Sequence, residues 1–419
     1  MSKSTKTLGL ITAPGYPNSL VKSFKNELPD LLKYYVNENY EWNLEYIEDA
    51  LTGGTGNSSE VIRATLDKKN NEEWDFAISL TDLPLLKGKK PIVAEAFEEE
   101  NVALISLPSL GSAAMYKRIR ESILQLVNEM YYGVSDEDRE QAEQRIQAKD
   151  DDAHEELKNK KSTRLVGKRV FEVLSPIQRE TPEENESKID VRFTIKSRMS
   201  GALRILTGMV RANRPWSMFP AFMKVIIFAF TTGSYALVFP TLWKLSNSYS
   251  TWRMFMLSII CILAMVIWII LAHQLWEKKN GGGNDYIRKL YNAATFFTLL
   301  FTVIMYYFIL FILFSVAVIV LIPMGMLESQ LTGSIGYINY FYIAWTATSV
   351  STIIGALGSA LENEEVVLAS TYGYRQRQRY EKIKKSEEEK KEAKEEKEEA
   401  AEEKLEAEQE KRKAEEKQT

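Results

Sequence analysis

Four stretches decide the reading: VIIFAFTTGSYALVFPTLW (225–243), MFMLSIICILAMVIWIILAHQL (254–275), YNAATFFTLLFTVIMYYFILFILFSVAVIVLIPMGML (291–327) and INYFYIAWTATSVSTIIGALGSAL (338–361). None contains Asp, Glu, Lys or Arg. The first two approach the roughly 20 residues that a helix needs to cross about 30 Å of hydrocarbon. The third would reach roughly 55 Å as one helix, so it is too long for a simple crossing. The fourth carries more Ser, Thr, Gly and Ala, the composition of a span packed closely among other helices.

Basic residues orient these blocks. Arg198, Arg204, Arg211 and Arg214 precede the first, Lys278, Lys279, Arg288 and Lys289 follow the second, and Arg375, Arg377, Arg379 and Lys382 follow the last. The two other loops hold only Lys244 and Arg253. The positive-inside bias then places both termini in the cytoplasm, which requires an even number of crossings. The third block is accordingly expected to span once and to break near Pro323 and Gly325. The expected spans are about 225–243, 254–275, 292–322 and 338–361, within a membrane domain of residues 217–361.

Ahead of them, residues 1–133 alternate strand and helix patterns. Strands are expected at Thr7–Ala13, Trp42–Tyr46, Asp75–Leu80 and Val102–Leu107, and Pro91–Glu99 reads as a connection. Asn57, with Glu60 three residues on, reads as a helix cap. The fold class expected is an N-terminal α/β domain with a mostly parallel sheet, an all-α membrane domain of four transmembrane helices, and a charged C-terminal tail, helical or disordered. Residues 134–198 hold a charged helix or linker and a hairpin, which either extends the first sheet or stands alone. Residues 199–216 read as an interfacial helix, with Arg204 and Arg211 opposite or flanking its apolar positions. The tail, 362–419, repeats Glu and Lys but lacks apolar heptad positions, which argues against a coiled coil.

Ligands of such α/β sheets lie beyond the carboxyl ends of the strands. Those ends carry Pro14, Gly15, Thr81, Asp82, Ser109 and Gly111, the candidate ligand-binding residues. The cluster Gly53, Gly54 and Gly56 has no following Lys and is read as a turn rather than a phosphate loop. His154 and His273 both lie outside residues 1–133, and the one cysteine, Cys261, sits in the second span. A His-based triad, a thiol nucleophile or a His/Cys zinc site is therefore not expected there, and no metal or cofactor is assigned. Carboxylate or lysine chemistry stays open, although no spacing singles out a pair.

In the last span Ala347, Ser351, Gly355 and Ser359 recur every four residues and present a helix-packing face. It serves either the monomer or a homo-oligomer. Arg211, Arg214, Trp216, Trp276, Arg375 and Arg377 are the expected membrane-interface residues. Lys224 lies close enough to the start of its span to snorkel to the surface.

The run Ser79-Leu-Thr-Asp-Leu-Pro84, followed by Pro91-Ile-Val-Ala94 and Ile105-Ser-Leu-Pro108, resembles a segment of a family of uncharacterised bacterial multi-span membrane proteins. So do Met209-Val-Arg-Ala-Asn-Arg-Pro-Trp216 and Tyr372-Gly-Tyr-Arg-Gln-Arg-Gln-Arg379, and the resemblance runs through roughly residues 7–380. It implies a bacterial inner membrane and carries over no activity and no functional residues. The leading expectation is a non-enzymatic membrane protein, a ligand-sensing or partner-docking module with a cytosolic α/β domain. Its expected partners are the bilayer, a second copy through the last span, and a cytosolic protein, with no nucleic acid. A small transporter or channel component is the first alternative, and a membrane-bound enzyme with a site at Asp82 the second.

Overall fold

The computed structural model describes residues 4–50, 52, 57–148, 161–182, 189–279, 285–332, 335–359 and, beyond the last span, 368, 371, 372, 374–376, 378, 379, 381–385 and 388. The Gly53–Gly56 turn, His154, Arg377 and the bulk of the tail lie outside the described residues.

The chain opens with β1 (Thr5–Thr12), α1 (Tyr16–Phe24), α2 (Leu28–Tyr35), β2 (Glu41–Glu48), α3 (Ser58–Asn71) and β3 (Phe76–Thr81). There follow β4 (Leu85–Lys87), β5 (Lys90–Phe97), β6 (Val102–Ser106), α4 (Leu107–Leu110) and α5 (Met115–Tyr132). Strand order is β2-β1-β3-β6-β5-β8-β7, with β4 against β5, where β7 is Ile177–Glu180 and β8 Val191–Ile195. The first four strands of that order are parallel, and every later pairing is antiparallel. The sheet is thus mixed rather than mostly parallel, and the 177–195 hairpin extends it.

The difference comes from β5, which the sequence reading makes a connection. Pro91 and Glu95 break the pattern of a buried strand, yet both are accommodated. Pro91 faces the short edge strand β4, where a missing N–H is tolerated. Glu95, fully buried, accepts a 2.6 Å hydrogen bond from Arg192 Nε on the neighbouring β8. The Asn57 cap forms as expected, its side-chain oxygen accepting from the Ser59 N–H at 3.1 Å while its amide donates to Glu60.

One face of the sheet is packed by α1, α2 and α5 around Leu8, Leu10, Phe24, Ile78 and Ile123; the other is covered by α3, with Val61 and Trp74 against Ile11 and Ala77. A Cβ at Gly9 would lie within 1.7 Å of the Trp74 ring, so only glycine admits that indole. The charged segment then supplies α6 (Asp136–Gln147), capped by Ser135, and α7 (Val170–Leu174).

Helix α8 (Arg198–Asn213) joins the two halves. Ile205 and Met209 enter the α/β core, and a Cβ at Gly208 would come within 2.1 Å of the Pro108 carbonyl oxygen. Arg204 lies on this buried face and not opposite it, because the Ser175 carbonyl and the Glu172 carboxylate await it at 2.6 and 2.9 Å. The helical half holds α9 (Phe219–Ala236), α10 (Pro240–Ser248), α11 (Thr251–Ala272), α12 (Asp285–Leu321), α13 (Met324–Gln330) and α14 (Tyr337–Ser359). Three of these, α11, α12 and α14, are long and apolar enough to cross a membrane, and α8 with α9 makes a fourth candidate if the bent pair is one span. The third apolar block runs as a single helix, the 37-residue α12, as far as Leu321, and breaks as expected at Pro323, after which α13 begins. The first ends at Ala236, short of Trp243, because Pro240 begins a new helix and the Trp243 indole donates to the Leu237 carbonyl at 2.9 Å.

A candidate functional site at the ends of β1 and β3

In the parallel half, β1 is followed by a crossover to β2 on one side, and the chain then returns to β3 on the other. The order reverses between β1 and β3, the position at which an open α/β sheet leaves a crevice for a ligand. Register places Thr12 beside Leu80, and the Ala13 N–H donates to the Leu80 carbonyl at 3.0 Å. Pro14 and Asp82 are therefore the residues that flank the crevice.

The crevice is filled by the chain's own segment from beyond α14. Arg379 donates through Nη1 to Asp82 Oδ1 at 2.6 Å, and through Nη2 to Asp82 Oδ2 at 3.1 Å and to the Pro14 carbonyl at 2.8 Å. This two-pronged geometry is the strong form of an arginine–carboxylate pair. Arg375 adds a contact from Nη1 to Asp82 Oδ2 at 3.4 Å. It also donates to Asn213 Oδ1 at the end of α8, whose Nδ2 reaches Thr298 Oγ1 of α12 at 2.8 Å.

Aromatic contacts hold the same segment. The Tyr372 ring stacks on Tyr291 of α12, with centroids 5.6 Å apart and planes 18° apart. Arg375 lies over the Tyr372 ring, its guanidinium carbon 4.4 Å from the centroid. The Tyr372 hydroxyl donates to the Met209 carbonyl at 3.1 Å, and the Tyr291 hydroxyl to Gln376 Oε1 at 3.2 Å. One short segment thereby touches β1, β3, α8 and α12.

Burial by itself would raise the Asp82 carboxyl, but the combined pull of Arg379 and Arg375 outweighs it and holds the group below the usual carboxylate range. For Arg379 burial acts downward, and the Asp82 charge beside it more than compensates. Asp82 is therefore a fixed anion engaged by two cations. It is poorly suited to act as a general base, which needs a pKa near the working pH.

The other candidates are not gathered at this point by hydrogen bonds. Thr81 Oγ1 accepts from the Leu83 N–H at 3.2 Å, a local turn contact. Gly15, with φ of 93°, precedes α1 in a conformation that suits glycine. Ser109 is fully buried in α4, with its hydroxyl 3.2 Å from that of Ser106. Gly111, with φ of 81°, ends α4 beside the side chains of Arg118 and Arg204. Of the expected interface residues, Arg375 is in the crevice, Arg211 lies over the Trp216 ring at 4.5 Å, and Trp276 is half exposed beside the buried His273. Ala347, Ser351 and Gly355 are buried inside the chain's own bundle, where Gly355 approaches Tyr306 of α12 and Ala229 of α9.

The sequence reading names Asp82, Pro14 and Arg375 singly and misses Arg379 as a site residue. A signal was present: Tyr372, Arg375 and Arg379 fall three and four apart, on one helical face, ahead of a tail composed mainly of Glu, Lys and Ala. Comparison with protein-family models, with curated proteins and with solved structures gave no significant match to this chain.

Proposed function

We propose that the protein is a membrane-anchored docking module whose cytosolic α/β domain uses the β1/β3 crevice to hold a basic segment. In the state described, that segment is the chain's own, Tyr372 to Arg379. The observation that carries this reading is Arg379 bridging Asp82 and the Pro14 carbonyl at the topological switch point. A sensing role follows from the same contact, since a partner or ligand that displaces the segment also releases its ties to α8 and α12. In this reading α9 is the fourth span, both termini are cytoplasmic, and the membrane is a bacterial inner membrane. The engaged, low-lying Asp82 carboxyl speaks against the enzyme alternative.

The test uses the full-length chain with Arg375→Gln and Arg379→Gln, which weakens the internal segment and leaves Asp82 in place. A synthetic peptide copying residues 368–385 should bind this variant and not the wild type, whose crevice is filled. Adding Asp82→Asn to the same variant should abolish the binding. A peptide that binds all of them alike, or none while each melts cooperatively, would sink the docking reading.

A further inference from the structure

Among the described residues of the α/β half, the large apolar side chains left exposed are confined to two helices: Val170, Val173 and Leu174 on α7, and Met199 and Leu203 on α8. The two helices are tied together by Arg204, which donates to Glu172 at 2.9 Å. A soluble domain does not ordinarily gather its exposed aliphatics in one place, and such a patch marks a surface that another apolar phase covers. Leu203 also lines a groove of about 430 Å³ between α8 and the apolar part of α12. Its walls are Leu206 and Val210 on one side and Phe297, Phe301 and Ile304 on the other. Arg211 stands exposed at the rim, its guanidinium over the Trp216 ring.

We propose that this groove is a binding site for an anionic phospholipid of the surrounding bilayer, with α7 and the outer edge of α8 resting on the same leaflet. The occupant follows from chemistry and continuity. The groove's far wall belongs to a helix long and apolar enough to span a membrane, so the groove opens onto the hydrocarbon that this helix faces. An indole beside an arginine is the side-chain pairing found at headgroup depth. A fixed cation at the mouth of an apolar cleft between helices selects lipids whose headgroup carries net negative charge. The acyl chain lies along Leu206 and Phe301, and the phosphate meets Arg211. The site is separate from the β1/β3 crevice and does not depend on the docking reading.

The experiment is native mass spectrometry of the full-length protein in detergent, titrated with phosphatidylglycerol or with phosphatidylcholine of the same acyl chains. Wild type should retain phosphatidylglycerol over phosphatidylcholine by about fivefold, the factor expected for one basic side chain at a lipid headgroup. Arg211→Gln should bring the two lipids level. Leu206→Trp, which fills the groove, should lower retention of both, whereas Ile267→Trp on the exposed face of α11 should change neither. Equal retention of the two lipids by wild type, or a preference that survives Arg211→Gln, overturns the proposal. Arg211 is exposed, so this variant decides the question even if Leu206→Trp fails to fold.

Discussion

Asp82 and Glu172 each hold two arginines, as Glu129 does with Arg139 and Arg179, and the first two do different work. At the crevice, Asp82 receives Arg375 and Arg379, residues 293 and 297 positions away, and the pairing joins the first domain to a segment beyond α14. Under α8, Glu172 receives Arg204 at 2.9 Å and Arg118 at 2.7 Å, and the pairing stays within the α/β half. The Glu172 arginines have side chains only 1% and 2% exposed, whereas Arg375 and Arg379 are 18% and 8% exposed. A buried pair broken from one side leaves a charge without compensation, so its cost depends on whether the remaining cation can reach water. Arg118 and Arg204 sit on packed helices and cannot. In the proposed docking function, Arg375 and Arg379 sit on a segment that a partner lifts away.

Glu172→Ala leaves two enclosed guanidiniums and should cost the domain about 3–5 kcal/mol, a fall in thermal midpoint on the order of 10 °C. Circular dichroism of the purified protein checks it. A midpoint within a degree of wild type would mean that the two sites are alike.

Asp82→Asn is expected to act locally. Releasing the segment removes the need to bury its arginines, so the domain's midpoint should move much less than with Glu172→Ala. Hydrogen exchange should instead accelerate in residues 371–379, by on the order of a hundredfold, as for a local opening that has lost a buried ion pair. Uniform acceleration over the α/β half would show that the crevice is part of the domain's core stability and not a latch.

Acid should reproduce that opening. Because the folded Asp82 carboxyl lies below its ordinary value, the stability it contributes is fully present above the unfolded value of about 3.9 and is lost as pH falls through the lower folded value. Exchange in residues 371–379, corrected for its intrinsic pH dependence, should be level between about pH 5 and 8 and rise below about pH 4. A step near neutral pH would assign the latch to another group.

The two sites also differ in how they were legible. Alternating strand and helix patterns, the Asn57 cap and the apolar blocks follow from local periodicity, and the β1, β3 and α12 elements appear near where the sequence places them. Asp82 was visible because a strand end is a position that sequence can locate. Its pairing with Arg375 and Arg379 was not, since nothing in their helical spacing encodes a contact across 297 residues. Strand β5 was lost for a related reason: Pro91 and Glu95 look like breakers until β4 and Arg192 are beside them. Spacing leaves Arg204 opposite or flanking the apolar face of α8, and its burial on that face depends on Glu172 and Ser175, neither of which lies on that helix.

Tyr372→Phe gives the smallest effect and separates the segment's aromatic hold from its ionic one. The change deletes one hydrogen bond, from the Tyr372 hydroxyl to the Met209 carbonyl, and keeps the ring on Tyr291 and beneath Arg375. A single neutral hydrogen bond contributes about 0.5–1.5 kcal/mol, so exchange in residues 371–379 should quicken by only about three- to tenfold. Combined with Asp82→Asn, the effects should be additive if stack and ion pair hold the segment independently. They should fall short of additive if releasing Arg379 already frees Tyr372, because a bond that is open in the single variant has nothing left to lose. Shortfall is the expected result: Arg375 contacts both the Tyr372 ring and Asp82, so the aromatic and ionic holds share a side chain.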